Sequence, residues 1–84
     1  MSKMMREMSQ DELVEILRMG EPGVERWNAL RAADPDFNPS LTNVDLSKLD
    51  LRGINLAHMY LSWVNFSTSD MREAVLNDSY VSDG

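Results

Sequence analysis

The sequence predicts a mainly β fold, in which the second half of the chain winds as a coiled solenoid behind N-terminal helices. The main observation is a run of nine apolar residues at intervals of five, namely Leu41, Leu46, Leu51, Leu56, Leu61, Phe66, Met71, Leu76 and Val81. Apolar residues make up 43% of the chain. Nine matches in one register therefore arise by chance roughly once in 2,000 sequences, and the pattern indicates an internal repeat.

The positions around these apolar residues repeat as well. Aspartate or asparagine directly precedes five of them, at Asp45, Asp50, Asn55, Asn65 and Asp70. A period of five fits neither an α-helix, with about 3.6 residues per turn, nor a strand, with a side-chain period of about 2. It indicates short extended pieces separated by regular turns, with one row of side chains filling the axis of a solenoid.

Residues 39–83 resemble the pentapeptide-repeat family, whose motif is a small residue, Asp or Asn, Leu or Phe, a small polar residue and then almost any residue. The matching segments are 44–47, 49–52, 54–57, 64–67 and 69–72. The resemblance implies a right-handed, quadrilateral β-helix with one repeat per side and four per coil. Positions 20 apart then stack, so Leu46 is expected under Phe66 and Leu51 under Met71.

Two helices, joined as a helix–turn–helix, are predicted in front of this segment, over about 9–19 and 22–33. Ser9 and Glu12 fit a capping box, and Gly20 is a natural stop. Pro22 suits the first turn of the second helix, whereas Pro35 ends it. The chain is therefore divided into a helical cap, residues 1–38, and a β-helix, residues 39–84.

The second predicted helix carries a single apolar stripe of Val24, Trp27 and Leu30. Because solenoid units bury their apolar faces against neighbours, we expect Trp27 and Leu30 to lie over the open end of the first coil. The alternative is that Trp27 only joins the two helices. Residues 1–8 are rich in methionine but interrupted by charges, which predicts a frayed end or a weak helical extension.

After Val81 the sequence has no helical pattern that could cover the second coil. An exposed edge above an apolar core invites pairing with another chain. Three explanations remain open at this point: end-to-end homodimerisation, docking onto a partner protein, or truncation of a longer natural protein.

Exceptions to the repeat predict an interface. Tyr60, Val75 and Tyr80 stand where Asp or Asn is expected, at positions that point outward. Tyr60 and Tyr80 are expected to stack, with Trp63 near them and Val75 on the adjoining side. Together with Val81 they form the candidate interface, since Tyr and Trp are enriched in interface cores. Ordinary surface apolarity is the alternative.

Composition excludes several classes of function. The 84 residues form one domain, contain no cysteine and carry a net charge of −6 without a basic patch, so we expect no thiolate metal site and no direct nucleic-acid binding. No stretch resembles a membrane span or a signal peptide, which favours a cytoplasmic protein. The single histidine, His58, has no nucleophile or base beside it, so neither enzymatic activity nor a cofactor is expected.

The sequence therefore favours a non-enzymatic protein–protein interaction module, acting as an adaptor, inhibitor or assembly factor. One alternative, suggested by the family and the acidic charge, is a DNA-mimicking inhibitor of a type II topoisomerase. Two coils of about 10 Å, however, match only about three base pairs. Another alternative is a structural spacer or a fragment of a longer solenoid. The partner and the oligomeric state are left open.

Overall fold

Three helices and three strands lie within residues 3–82, the part of the chain that the computed structural model describes. A short 3-10 helix precedes α1 and α2, the three covering Met5–Glu7, Gln10–Leu17 and Glu21–Ala33. The strands β1, β2 and β3 are Ser40–Thr42, Tyr60–Ser62 and Tyr80–Ser82. The predicted ranges 1–38 and 39–84 also include four residues outside the described part, namely Met1, Ser2, Asp83 and Gly84.

Helix α1 begins at a capping box. The backbone N–H of Glu12 donates to Ser9 Oγ at 3.3 Å, and the N–H of Ser9 donates to Glu12 Oε1 at 3.1 Å. The helix ends at Leu17, two residues before the predicted end, because the N–H of Met19 bonds to the carbonyl of Ile16 and tightens the last turn. Helix α2 carries Pro22 in its first turn, where the missing N–H costs no hydrogen bond.

Of the two alternatives for residues 1–8, a frayed end or a weak helical extension, the structure over residues 3–8 fits the second, and the 3-10 helix joins the core. Met5 is fully buried within the 3-10 helix. Beside it, the Arg6 guanidinium makes a two-pronged ion pair with the buried Asp34, at 2.6 and 2.7 Å. Arg6 also lies over the ring of Phe37, with its Cζ 5.5 Å from the centroid. These contacts attach the start of the chain to the end of α2.

All strand and bridge pairings in residues 40–82 are parallel and join residues 20 apart. Ser40 pairs with Tyr60 and Tyr60 with Tyr80. Isolated bridges repeat the same offset at three further places, Asp45 with Asn65, Asp50 with Asp70 and Asn55 with Val75. Four sets of pairings thus follow one another at intervals of five residues. We call residues 40–59 the first coil and residues 60–79 the second coil; β3 lies beyond the second.

Turns between the pairings repeat with the same period as the sequence. Every fifth residue adopts a left-handed conformation, at Asn43, Lys48, Gly53, His58, Trp63, Thr68, Glu73 and Asp78. Such a conformation costs a non-glycine residue about 1–2 kcal/mol. Part of that cost is offset by the Asp or Asn of each matching repeat, whose side-chain oxygen accepts the N–H two residues later, as Asp45 does from Ser47 at 3.0 Å. This bond is the physical reason for Asp or Asn in the motif.

The hydrophobic core is densest between the helices and the first coil. Leu41, Leu46, Leu51, Leu56 and Leu61 are fully buried together with Trp27 and Leu17. In the second coil the same row becomes progressively open: Phe66 and Met71 are partly buried, whereas Leu76 and Val81 are 41% and 56% exposed. The core therefore has one covered end and one uncovered end.

Helix exceeds strand over the described residues, because the α-helices contain 8 and 13 residues and each strand contains three. The remaining extended backbone of residues 39–82 appears as isolated bridges. The predicted class, mainly β, therefore describes the repeat segment and not the chain as a whole.

Close packing of α1 against α2 depends on Gly23. A Cβ atom at this position would overlap the carbonyl oxygen of Ile16 and lie 2.9 Å from Met19 Cβ. Gly23→Ala should therefore destabilise the chain by about 3 kcal/mol, as expected for overpacking against backbone that cannot yield. Urea denaturation followed by circular dichroism measures this loss.

Gly53→Ala is the matched control, because Gly53 has open space around it and only its positive φ opposes a side chain. We expect this control to lose about 1 kcal/mol. An equal or smaller loss for Gly23→Ala than for Gly53→Ala would contradict the close helix contact.

Candidate functional site

Side chains from the helices cover the backbone edge of the first coil. Gln10 acts like a neighbouring strand toward Thr42: its Nε2 donates to the Thr42 carbonyl at 2.9 Å, and its Oε1 accepts from the Thr42 N–H at 3.0 Å. Asn28 does the same further along, donating to the Gly53 carbonyl at 3.0 Å and accepting from the Asn55 N–H at 2.8 Å. Both amides satisfy backbone groups that would otherwise be left unpaired.

Three more helix-side donors complete this cover. The indole Nε1 of the fully buried Trp27 donates to the Asn55 carbonyl at 2.9 Å, and Leu30 packs partly buried against the same core. Arg18 donates to the Asp45 carbonyl at 3.0 Å, and Arg31 to the Ala57 carbonyl at 2.6 Å. Trp27 thus contacts the first coil directly.

Sequence reasoning missed Gln10, Asn28, Arg18 and Arg31 as covering residues. One sequence signal could have identified Arg31. It lies on the same face of α2 as Val24 and Trp27, so the apolar stripe ends in a cation. A buried arginine on such a stripe needs acceptors, and backbone carbonyls at an uncovered edge supply them.

On the opposite edge of the coils, backbone groups between residues 64 and 79 find no partner within the described part of the chain. In the first coil the N–H groups of Leu46, Leu51 and Leu56 donate to second-coil carbonyls at 2.8–2.9 Å. The N–H groups 20 residues later, those of Phe66, Met71 and Leu76, have no hydrogen-bond partner within residues 3–82. The same holds for three carbonyls of the second coil, those of Val64, Ser69 and Ala74, whose first-coil equivalents accept from the second coil. We call this backbone edge of residues 64–79 the outer edge.

An aromatic pair lies on one side of the coil. The rings of Tyr60 and Tyr80 are 5.3 Å apart between centroids, at an interplanar angle of 44°. They remain 63% and 57% exposed, and Trp63, at the turn after β2, is 60% exposed. Val75 is bridged to Asn55, in the set of pairings that comes five residues before Tyr80. Val81 follows Tyr80 in β3.

The tyrosines occur where the backbone no longer uses the Asp or Asn bond. Ser40, Tyr60 and Tyr80 all begin three-residue strands that pair with one another. Residues 45, 50 and 55 pair across the coils with the same 20-residue offset, so what is missing at Tyr60 and Tyr80 is only the side-chain acceptor of Asp or Asn. The repeat therefore tolerates an exposed aromatic side chain at these two positions.

Comparison with known families agrees with this geometry. The family described as Pentapeptide repeats matches residues 40–78 with eight copies. Residues 40–78 are pentapeptide repeats, and the chain is a pentapeptide-repeat protein. Eight copies correspond to the eight left-handed turn residues. No curated protein and no solved structure matches the chain significantly.

One side of the pentapeptide-repeat segment carries a ladder of ion pairs. Asp50 and Arg52 pair at 2.9 Å, Asp70 and Arg72 pair at 2.7 Å, and Arg52 reaches Asp70 across the coils at 3.7 Å. Hydrogen bonds from Arg72 lower the pKa of Asp70 from 3.8 to about 2, and hydrogen bonds from Arg52 lower the pKa of Asp50. Much of the acidic charge on this side is therefore neutralised locally.

His58 is an exposed turn residue whose Nδ1 lies 3.8 Å from an Asp78 oxygen. Over residues 3–82 no group of three or more His, Cys, Asp or Glu side chains is placed to hold a metal ion. The helices within the same range are too short or too polar to cross a lipid bilayer.

The ion-pair ladder predicts a shift in titration. Arg72→Gln should raise the pKa of Asp70 from about 2 toward 3.8, because the hydrogen bonds and the positive charge are lost. The carboxyl ¹³C shift of Asp70, followed against pH by NMR, measures this. Since the pKa is lower in the folded chain, the pair stabilises the fold above about pH 4 and loses that effect as pH falls toward 2.

Arg26→Gln serves as the control, because Arg26 is exposed on α2 and has no ion pair within the described residues. The Asp70 pKa should not move in this variant. An Asp70 pKa that stays near 2 after Arg72→Gln would show that the ion pair is not its cause.

Proposed function

We propose that this pentapeptide-repeat protein is a non-enzymatic protein–protein interaction module, serving as an adaptor, inhibitor or assembly factor. Its binding surface is the outer edge together with the tyrosine pair. The observation that carries this proposal is an asymmetry: helix side chains cover one edge of the coils, whereas the other edge leaves backbone donors and acceptors unpaired within residues 3–82.

Both parts of this surface favour a protein as the ligand. Unpaired N–H and C=O groups in a row are a template for another extended chain, which would gain main-chain hydrogen bonds by docking there. Leu76 and Val81 add exposed apolar area at the same end. Tyr60, Tyr80 and Trp63 add large, rigid side chains of the types that dominate binding energy in interfaces. The ligand is a different protein or a second copy of this chain.

We further propose that the repeats form a right-handed, quadrilateral β-helix. Support for four sides comes from the four sets of parallel pairings, each five residues after the last and each with an offset of 20. Support for the hand comes from the general rule that a crossover between parallel strands of one sheet is right-handed in about 98% of cases.

The ion-pair ladder weakens the alternative of DNA mimicry. A mimic of a duplex needs a continuous stripe of uncompensated negative charge, whereas Asp50 and Asp70 are each paired with an arginine. A purely structural spacer would gain nothing from exposed aromatic residues, because a spacer binds only through its ends. The interaction module therefore accounts for more of the observed features.

Mutation of the tyrosine pair tests the proposal. Tyr60→Asp combined with Tyr80→Asp should abolish association and leave the fold intact, since aspartate is the residue that the repeat accepts at these positions. Light scattering of the purified chain over a range of concentrations measures self-association, and mass spectrometry of the copurified complex identifies any other protein that is bound. Circular dichroism checks the fold.

Met19→Asp is the control, because Met19 is an exposed apolar residue (52%) on the helical part of the molecule. Association should persist in this variant. The proposal is overturned if the folded double variant keeps the same mass and the same bound protein. It is also overturned if the wild-type chain is monomeric at all concentrations and copurifies with nothing.

A further inference from the structure

A cavity of about 570 Å³ lies where the end of α2 meets the coils. Its walls come from Asn28 and Arg31 on the helix, from Asn38 in the segment before β1, and from Asn55, His58 and Val75 on the coils. Arg31 is the one permanent cation among its lining residues, and no carboxylate lines it. A positively charged lining is unexpected in a chain with a net charge of −6.

The Arg31 guanidinium is buried without a counter-charge. The residue is only 7% exposed and makes no ion pair within residues 3–82. Its Nη2 donates to the Ala57 carbonyl at 2.6 Å and to Asn38 Oδ1 at 3.1 Å, but its Nη1 is buried and has no partner in the described residues. Asp34, one helical turn further on, is engaged by Arg6 instead.

Buried charges in proteins are almost always paired, because the loss of hydration is otherwise uncompensated. Burial accordingly lowers the pKa of Arg31, with desolvation as the cause. The unpaired Nη1 shows which ligand chemistry is missing: an acceptor, and preferably an anionic one.

The neighbouring amides point to the same chemistry. The side-chain oxygens of Asn28, Asn38 and Asn55 already accept hydrogen bonds, from Asn55, Arg31 and Ala57 respectively. The NH₂ groups of Asn38 and Asn55 have no partner within residues 3–82. Among the asparagine side chains around the cavity, the groups that remain open are therefore donors, which suit an oxyanion.

We propose that this cavity binds a carboxylate on Arg31. One carboxylate oxygen takes the place of the neutral Asn38 oxygen as an acceptor for Nη2. The Asn38 contact is the longer of the two that Nη2 makes, and the Asn38 side chain is exposed and free to move away. The other oxygen accepts from Nη1, which is closed to solvent in this structure and becomes reachable when the Asn38 side chain moves aside. The pair then has the two-pronged geometry that arginine and carboxylate prefer. A single negative charge matches the single guanidinium. The carboxylate belongs either to a small organic acid or to an acidic side chain of a bound protein.

The test is a titration of the full chain with sodium acetate, compared with sodium chloride at constant ionic strength. Two-dimensional ¹H–¹⁵N NMR follows the backbone amides of Asn38 and Ala57 together with the Arg31 guanidinium signals. We expect a saturable shift with acetate only. Asn38→Asp places a carboxylate of the chain itself on Arg31, so this variant should bind acetate about tenfold more weakly or worse.

Asn43→Asp is the matched control, since it adds the same charge at an exposed turn residue outside the cavity. It should bind acetate as the wild type does. Arg31→Lys keeps the positive charge but loses the planar guanidinium that can bind both carboxylate oxygens at once. This variant should weaken acetate binding without abolishing it. These variants separate the proposal from a loss of folding, because Asn38→Asp supplies a counter-charge and should stabilise the chain.

Three results would overturn the proposal: identical shifts with acetate and chloride, undiminished acetate binding by Asn38→Asp, or tighter binding of inorganic phosphate than of acetate. The source of the carboxylate follows from a second titration, with a short peptide that has blocked ends and one glutamate. Tighter binding of the peptide than of acetate assigns the site to a protein side chain, and weaker binding assigns it to a small acid.

Discussion

The register of 20 residues between the two coils is the constraint on which the rest of the structure depends. Backbone hydrogen bonds set this offset independently at four places, from the strands at Ser40 and Tyr60 to the bridge between Asn55 and Val75. Because the offset is a multiple of five, equivalent repeat positions always stack. Leucines therefore lie over apolar residues on the inside, and the left-handed turns follow one another on the outside. A shift by one residue would expose every one of these leucines.

The two stacked coils have two backbone edges, which differ in whether other residues of the chain form hydrogen bonds with them. At the first coil, Gln10 and Asn28 present an amide to the backbone in the way that a further strand would, and Trp27 closes the apolar centre. The helices are thus more than an apolar lid, because they also satisfy the backbone groups of the coil. At the outer edge no such groups are supplied by residues 3–82, and the core residues Leu76 and Val81 are exposed. The proposed interaction follows from this difference.

Much of the repeat segment could be predicted from the sequence, since its period is a property of neighbouring residues. The spacing of the apolar residues predicts the period of five, and the resemblance to pentapeptide repeats adds the pairing of positions 20 apart. The expected stacking of Tyr60 on Tyr80 follows from that offset, and the two rings are in contact. The helix covers could not be predicted, because Gln10 lies 32 residues from Thr42 and Arg31 lies 26 residues from Ala57. No local pattern marks such contacts. Met5 was missed for the same reason, as its burial depends on how the 3-10 helix packs against the core.

The most direct test of this account is hydrogen exchange of backbone amides in the monomeric full chain, compared between repeat positions 20 apart. Leu46, Leu51 and Leu56 donate into the second coil, whereas Phe66, Met71 and Leu76 occupy the same repeat positions at the outer edge. The account predicts that each outer amide exchanges at least about tenfold faster than its partner in the first coil. Equal protection of both sets in the monomer would contradict the 20-residue register or the open outer edge.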